Sequence, residues 1–392
     1  MEFVIHRQKI QQALEHLKED NVDLWIILTH EGQDPSLPLV TGVATVGKGA
    51  FLFTKEGDKY AICNNIDAQD IVQSNLFDKV ITYSNSFEEK IKEQVKEISP
   101  SNIALNYSIN DHLADGLTVG QYRSLTKALD NVFDGAYLSS ETFLQHIRSV
   151  KTEPEINVIK KAVDLTLKIY ESVFKELKVG LSEREVGQLF IEELKKHNVL
   201  NGIDRKVSMP IVMKENISHR EPGQALIEPG DLLIIDFSID LEGYTSDVAR
   251  TVYFLKEEEK EAPAKVQKVF NCIHEAISQA RKTLKPGVKG LEVDKAAREY
   301  LLEKGLPDIT HSVGHQMGRE VHDGGMLLAP PWERYGNAPY GVVEKGMVFT
   351  IEPTVFMEDG IHFIVEENVY VTEEGAEYLT ERQDQLILIP FA

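Results

Sequence analysis

Four runs of strand-forming residues each carry an acid where a buried strand should be apolar. In GDLLIIDFSIDLEGYTSDVARTVYF (residues 230–254), Asp236 breaks the run LLII-D-F. Asp247 stands in the strand that returns after the turn signal Asp240-Leu241-Glu242-Gly243. GMVFTIEPTVF places Glu352 directly before Pro353, and IHFIVEENVYV places Glu366 among strand formers beside Glu367. A carboxylate taken out of water costs on the order of several kcal/mol unless it is compensated. One such acid can be neutralised by an arginine, and for Asp236 and Asp247 alone Arg250 offers a salt-bridge reading. Four interrupted runs are hard to neutralise with monovalent partners and easier to explain around a pair of divalent metals. An edge strand with a wet acidic face explains Glu367, which reads as solvent-facing or as a neighbour of the ligands. It explains Glu366 less well.

Histidines complete the set. HSVGHQMGREVHDGG presents His311, His315 and His322 among glycines, which let backbone wrap closely around a site. His311 reads as an ordinary packed or surface residue. His219, in KENISHREPGQ, lies in a loop ahead of the Asp236 strand. Mixed oxygen and nitrogen donors suit manganese, cobalt, iron or zinc. The isolated Cys63 and Cys272 make neither a disulfide framework nor a thiolate metal site. No glycine-rich phosphate loop and no GxSxG elbow is present.

With 392 residues, the chain has room for two or three domains of about 150 residues each. Its 63 acidic against 42 basic side chains give a net charge of −21, which repels phosphate backbones and argues against a nucleic-acid partner. The opening segment lacks a signal-peptide pattern, and no apolar run reaches the roughly 18 residues of a membrane span, so a cytoplasmic protein without a membrane partner is expected. Alternating strand and helix patterns over residues 1–148 predict an α/β domain. These include an amphipathic helix from Ile5 to Leu17, a strand over 22–28, a hairpin over 49–62 and a helix over 87–98. Residues 149–392 read as a second, α+β domain. Its first helix is capped at Ser149 or Thr152, carries Pro154 in the first turn and ends at Gly180. A second helix pair, over 264–282 and 290–304, again precedes strands, which predicts an internal pseudo-duplication.

These blocks resemble the pita-bread metallopeptidase family of methionine aminopeptidases, prolidases and aminopeptidase P enzymes, over about residues 154–380. The acids of IIDFSID, SDVART, FTIEP and VEENV and the histidine of VGHQMG match the family's five ligand positions in order and type: Asp236, Asp247, Glu352, Glu366 and His315. The N-terminal domain resembles the two-domain prolidases and aminopeptidase P enzymes, and also creatinase, which shares the architecture without the metal pair. The resemblance implies two divalent ions, manganese first, with cobalt, zinc or iron as alternatives. Asp236 would chelate one ion, Asp247 and Glu366 would bridge the two, and His315 with Glu352 would hold the other. A bridging hydroxide between metals about 3.5–4 Å apart would attack the scissile carbonyl. Glu352 would move the proton, while His219 and His322 would serve substrate and transition state. Tyr244 and Trp332 read as pocket-lining or packing residues. The implied activity is hydrolysis of Xaa-Pro bonds in dipeptides or at the N-terminus of short peptides, by a homodimer. A hydrolase or lyase acting on a small amide, or a non-catalytic binding protein, is the alternative. Gln316 stands where the family usually has glycine, Asp323 where it has glutamate, and Ile364 where Xaa-Pro peptidases often have arginine.

Overall fold

Alternate side chains of the strand β1 (Leu24–His30) part to opposite faces, and each face has its own core. Trp25 and Ile27 join one, and Leu24, Ile26 and Leu28 join the other. The computed structural model describes residues 3–43, 45–214 and 220–391 and divides the chain into two units, Met1–Arg148 and Ser149–Ala392. In the first unit, β1 lies within a mixed sheet with β2 (Lys48–Thr54), β3 (Lys59–Asn64), β4 (Lys79–Tyr83), β5 (Asn102–Leu105) and β6 (Ala136–Ser139), in the order β4-β3-β2-β1-β5-β6. Helices Val4–Glu19 and Glu141–Ser149 cover one face through Leu14, Leu17 and Ile147. Helices Phe87–Ile98 and Val119–Leu129 cover the other through Ile91, Val95 and Leu125. The first strand begins two residues later than the pattern predicts. Asp23 is spent on anchoring loops, accepting from Lys55 Nζ at 2.6 Å and from the Ser101 N–H at 2.8 Å.

The second unit repeats a helix pair followed by strands. Helices Glu153–Phe174 and Glu183–His197 pack on a four-stranded sheet ordered Ile387–Ile389, Val248–Phe254, Leu232–Phe237, Ile211–Met213. The first of these helices starts with a capping box, in which Glu155 Oε2 accepts from the Thr152 N–H at 2.6 Å. It stops at Phe174, short of Gly180. Leu177 is drawn into the core, and Gly180, at φ +90°, makes the later turn. Helices Ala264–Thr283 and Gly290–Glu303 share a second core with Phe349, Ile351 and Val369 of the antiparallel strands Val348–Ile351 and Glu367–Val371. The two halves form a pseudo-duplicated pita-bread fold. Among the described residues no helix is long and apolar enough to cross a membrane.

The central hairpin orients the acids. Strand Leu232–Phe237 turns Leu233, Ile235 and Phe237 toward the first-half helices, leaving Asp236 on the opposite face, directly across from Ala249. Asp247, two residues before Ala249, shares that face. The smaller ladder at the tip closes at Leu241↔Tyr244, and Glu242 and Gly243 both have positive φ (53° and 78°), as a two-residue type I′ turn requires. Tyr170 braces the hairpin from the helix side, its hydroxyl lying 2.9 Å from Ile235 O and 2.7 Å from Val248 O.

Candidate metal centre

Three elements bring their polar residues to one place. Asp247 comes from the first-half hairpin, His315 from the short strand Gly314–His315, and Glu366 from the link between strands His362–Ile364 and Glu367–Val371. Each offers one ligand atom, and these atoms all lie within 4.8 Å of one another. Glu352, immediately after strand Val348–Ile351, joins through His315, whose Nε2 lies 3.5 Å from Glu352 Oε1 and 3.4 Å from Asp247 Oδ2. Asp236 is the remaining acid, and its charge acts on Glu352, Glu366 and His315. Pro353 ends the strand behind Glu352, since a proline has no N–H for a ladder. His322 places its ring centroid 4.4 Å from that of His315 and keeps its own side chain exposed. His219 lies outside the described residues.

The electrostatics of this cluster are unfavourable for the protein groups alone. Burial pushes the Asp247 carboxyl up to about 7, against the opposing pull of His322 and a hydrogen bond with Glu366. Burial, then Asp247 and Asp236, hold Glu352 well above the usual carboxylate range, although its side chain is still 21% exposed. Burial, then Asp247, Glu352 and Asp236, do the same to Glu366. The Oε1 of Glu366 is buried without a hydrogen-bond partner. Burial also lowers the His315 pKa, so the ring is neutral at pH 7. Its Nδ1 lies 3.2 Å from Gln316 O, a carbonyl that can only accept, so Nδ1 carries the proton. Nε2 therefore turns its lone pair toward the carboxyl oxygens of Asp247 and Glu352. An orphaned carboxylate oxygen, acids that raise one another's pKa and an imidazole lone pair fit divalent cations. The oxygen-rich donor set with one nitrogen and no thiolate fits manganese, cobalt, iron or zinc alike.

Arg250 does not take the role the sequence allowed it. Its guanidinium donates to Ala249 O, Glu366 O, Glu381 O and Glu367 Oε2, the last at 3.1 Å, and forms its salt bridge with Glu367. Glu367 is accordingly not solvent-facing: it is 1% exposed, and its second oxygen accepts from the Gln383 N–H at 3.0 Å. Sequence reasoning passed over Asn368, whose Oδ1 accepts from the Asp247 N–H at 3.2 Å while its Nδ2 donates to Asp247 O. An amide inside the run VEENVYV was the available signal. Tyr244 is buried and donates to Glu155 Oε1 at 3.0 Å. Trp332 stacks on Tyr335, and the Arg298 and Arg334 guanidinium groups both lie over the Trp332 ring. His311 is a packed residue, its Nε2 lying 2.9 Å from Thr354 Oγ1.

Several known proteins are similar to this chain. An uncharacterized peptidase of Staphylococcus epidermidis is 29% identical over 336 residues, covering 85% of this chain and 87% of that protein. A Xaa-Pro dipeptidase of Pyrococcus horikoshii is 25% identical over 387 residues, covering 98% and 99%. The crystal structure of an X-Pro aminopeptidase from Thermotoga maritima superposes with a TM-score of 0.74 at 23% identity, covering 97% of this chain and 99% of that one, and so shares its fold. Residues 157–373 match the sequence model of metallopeptidase family M24. That match spans more than half of the chain and contains Asp236, Asp247, His315, Glu352 and Glu366, so by fold and by sequence the chain belongs to metallopeptidase family M24.

Proposed function

We propose that this chain is a dimetal-dependent peptidase that hydrolyses Xaa-Pro bonds, in dipeptides or at the N-terminus of short peptides. The observation that carries the metal reading is the buried Glu366 Oε1, which has no protein partner beside Asp247 and His315. Asp236, Asp247, His315, Glu352 and Glu366 would hold the ions, manganese being the first choice. A bound metal pair supplies Lewis acidity and an activated water. The remaining work falls to the chain's own groups. Glu352, kept protonatable by burial and neighbouring acids, accepts and returns a proton at Oε1, beside His315 Nε2. The Gln316 carbonyl fixes the His315 ring, and Asn368 fixes the backbone of Asp247. His322, exposed beside His315, donates to the substrate carbonyl as charge develops there, and His219 is assigned the same kind of task.

The Xaa-Pro preference is supported by the full-length likeness to the Pyrococcus relative named for that activity. The homodimer rests on family resemblance and the cytoplasmic location on the opening segment and the lack of an apolar run of roughly 18 residues; they are read out by sedimentation and cell fractionation. The deciding experiment compares Xaa-Pro dipeptides, Xaa-Pro-Yaa tripeptides and small amides with the manganese-loaded enzyme. Turnover of either proline peptide, abolished by a chelator, supports the reading. Turnover of amides alone assigns the same cluster to a non-peptide substrate.

A further inference from the structure

We propose that Lys151 is a positioning residue for His322, acting through a buried ion pair with Asp323. The proposal rests on the reading above only in that His322 serves the reaction. Lys151 Nζ lies 2.9 Å from Asp323 Oδ2, and the two side chains are 1% and 2% exposed. A pair this deeply buried gives little net stability over apolar side chains of equal volume, because both charges lose their water. What such a pair does supply is a fixed geometry, and the loop it fixes runs from His315 to His322.

Asp323 gathers that loop at three atoms. Its Oδ2 meets Lys151, its Oδ1 accepts from the Glu320 N–H at 3.1 Å, and its N–H donates to Gln316 O at 2.9 Å. Gln316 O is the carbonyl that also faces His315 Nδ1. Gly318, inside the loop, packs against the pair itself: a Cβ there would stand 2.3 Å from Asp323 Oδ2 and 2.6 Å from Lys151 Cε. Its carbonyl accepts from the Thr245 N–H at 2.7 Å, which ties the loop to the strand leading into Asp247. Lys151 is held in turn. Its N–H donates to Gly346 O at 2.9 Å, and Gly346, at φ +90°, lies two residues before the strand Val348–Ile351 that leads into Glu352. The cation thus stands on the scaffold that presents Glu352 and grips the residue next to His322.

The test uses the full chain. In Lys151→Met/Asp323→Asn both charges go together, so no buried charge is left uncompensated. Gly318→Ala displaces the pair sterically while keeping its charges. The first readout is the imidazole 13C–1H spectrum of the metal-free protein, with the His322 signal assigned by its loss in His322→Ala. Both variants are expected to shift and broaden that signal. An unchanged His322 signal in either folded variant overturns the proposal, whether or not any peptide is cleaved. The second readout is kcat. The double substitution should cost about 10–100-fold when His322 is present, and close to nothing in a His322→Ala background, where nothing remains to position. Equal losses in both backgrounds would assign Lys151 a structural role and overturn the proposal. Absence of all peptide turnover would count against the functional reading alone, since the spectrum decides the positioning claim.

Discussion

Each unit of this molecule buries carboxylates, and the cluster in the second treats its own differently from the way the first treats Asp34. In the first unit Asp34 is 1% exposed, yet it accepts from the Ser36 N–H at 2.9 Å, from Ser36 Oγ at 2.6 Å and from Asn106 Nδ2 at 3.0 Å. Burial raises its pKa, and every neighbour acts against that rise: Ser36, Asn106 and Arg148. In the second unit burial likewise raises Glu352, but there the neighbours Asp247 and Asp236 push in the same direction. At Glu366 only Arg250 opposes three acids, and one oxygen has no partner. Burial of an acid therefore does not mark a functional site. What sets the second-unit cluster apart is that its buried acids raise one another's pKa around a carboxylate oxygen that has no partner.

The largest effect that could break this contrast is on turnover. Glu366→Gln keeps the volume and removes the charge that the cluster needs for a cation. We expect the rate to fall by roughly 10³-fold or more, since metal stabilisation of the transition state amounts to several kcal/mol. A rate within tenfold of the parent enzyme would show that Glu366 is as structural as Asp34.

Next comes the pH dependence of the metal-free protein. Asp247 is pushed up to about 7, and Glu352 and Glu366 stand well above the usual carboxylate range. At these three groups the folded state binds more protons than the unfolded chain. The stability these three groups contribute is fully present below the unfolded carboxylate value of about 4 and is lost as pH rises through their folded values. His315, lowered by burial, works in the opposite sense, but only below its unfolded value of about 6.5. Between pH 6.5 and 8 the titration of Asp247 should by itself cost the metal-free protein on the order of 1 kcal/mol, roughly 2–4 °C in Tm, and Glu352 and Glu366 act in the same direction. Manganese should remove that slope, because binding favours the deprotonated ligands. A Tm that rises over this interval without metal would mean that the acids are already compensated.

The smallest effect on turnover belongs to the first unit. Asp34→Leu leaves the Ser36 N–H and hydroxyl buried without their acceptor, while Asn106 Nδ2 keeps only Ser36 Oγ, at a cost of about 1–3 kcal/mol by urea unfolding. Metal content and the rate per folded molecule should not change. A loss of bound metal would erase the distinction between the two kinds of buried acid.

What could be read from the sequence follows the reach of each interaction. Elements set by local pattern were legible: the helix Phe87–Ile98, the Thr152 capping box and the turn at Gly57, φ +106°, each depend on residues within a few positions. The interrupted apolar runs were also legible, because an acid among strand formers conflicts with burial at the level of a single strand. Glu366 and Glu367 were harder to separate. The two differ because Arg250, more than a hundred residues earlier, delivers its guanidinium to one carboxylate and not to the other. The Lys151–Asp323 pair, 172 residues apart, was invisible for the same reason. Gly180 misled because a glycine marks a turn without saying where the preceding helix stops, and the burial of Leu177 had already ended it.

The central claim is that four carboxylates and His315 hold a pair of divalent ions. The direct measurement is metal stoichiometry by equilibrium dialysis against manganese, read by elemental analysis on protein stripped beforehand. The account predicts two ions per chain in the parent protein and a loss of at least one in Glu366→Gln. Protein that binds no manganese, cobalt, zinc or iron above background at saturating concentration, or a Glu366→Gln variant that still holds both ions with unchanged affinity, would contradict it.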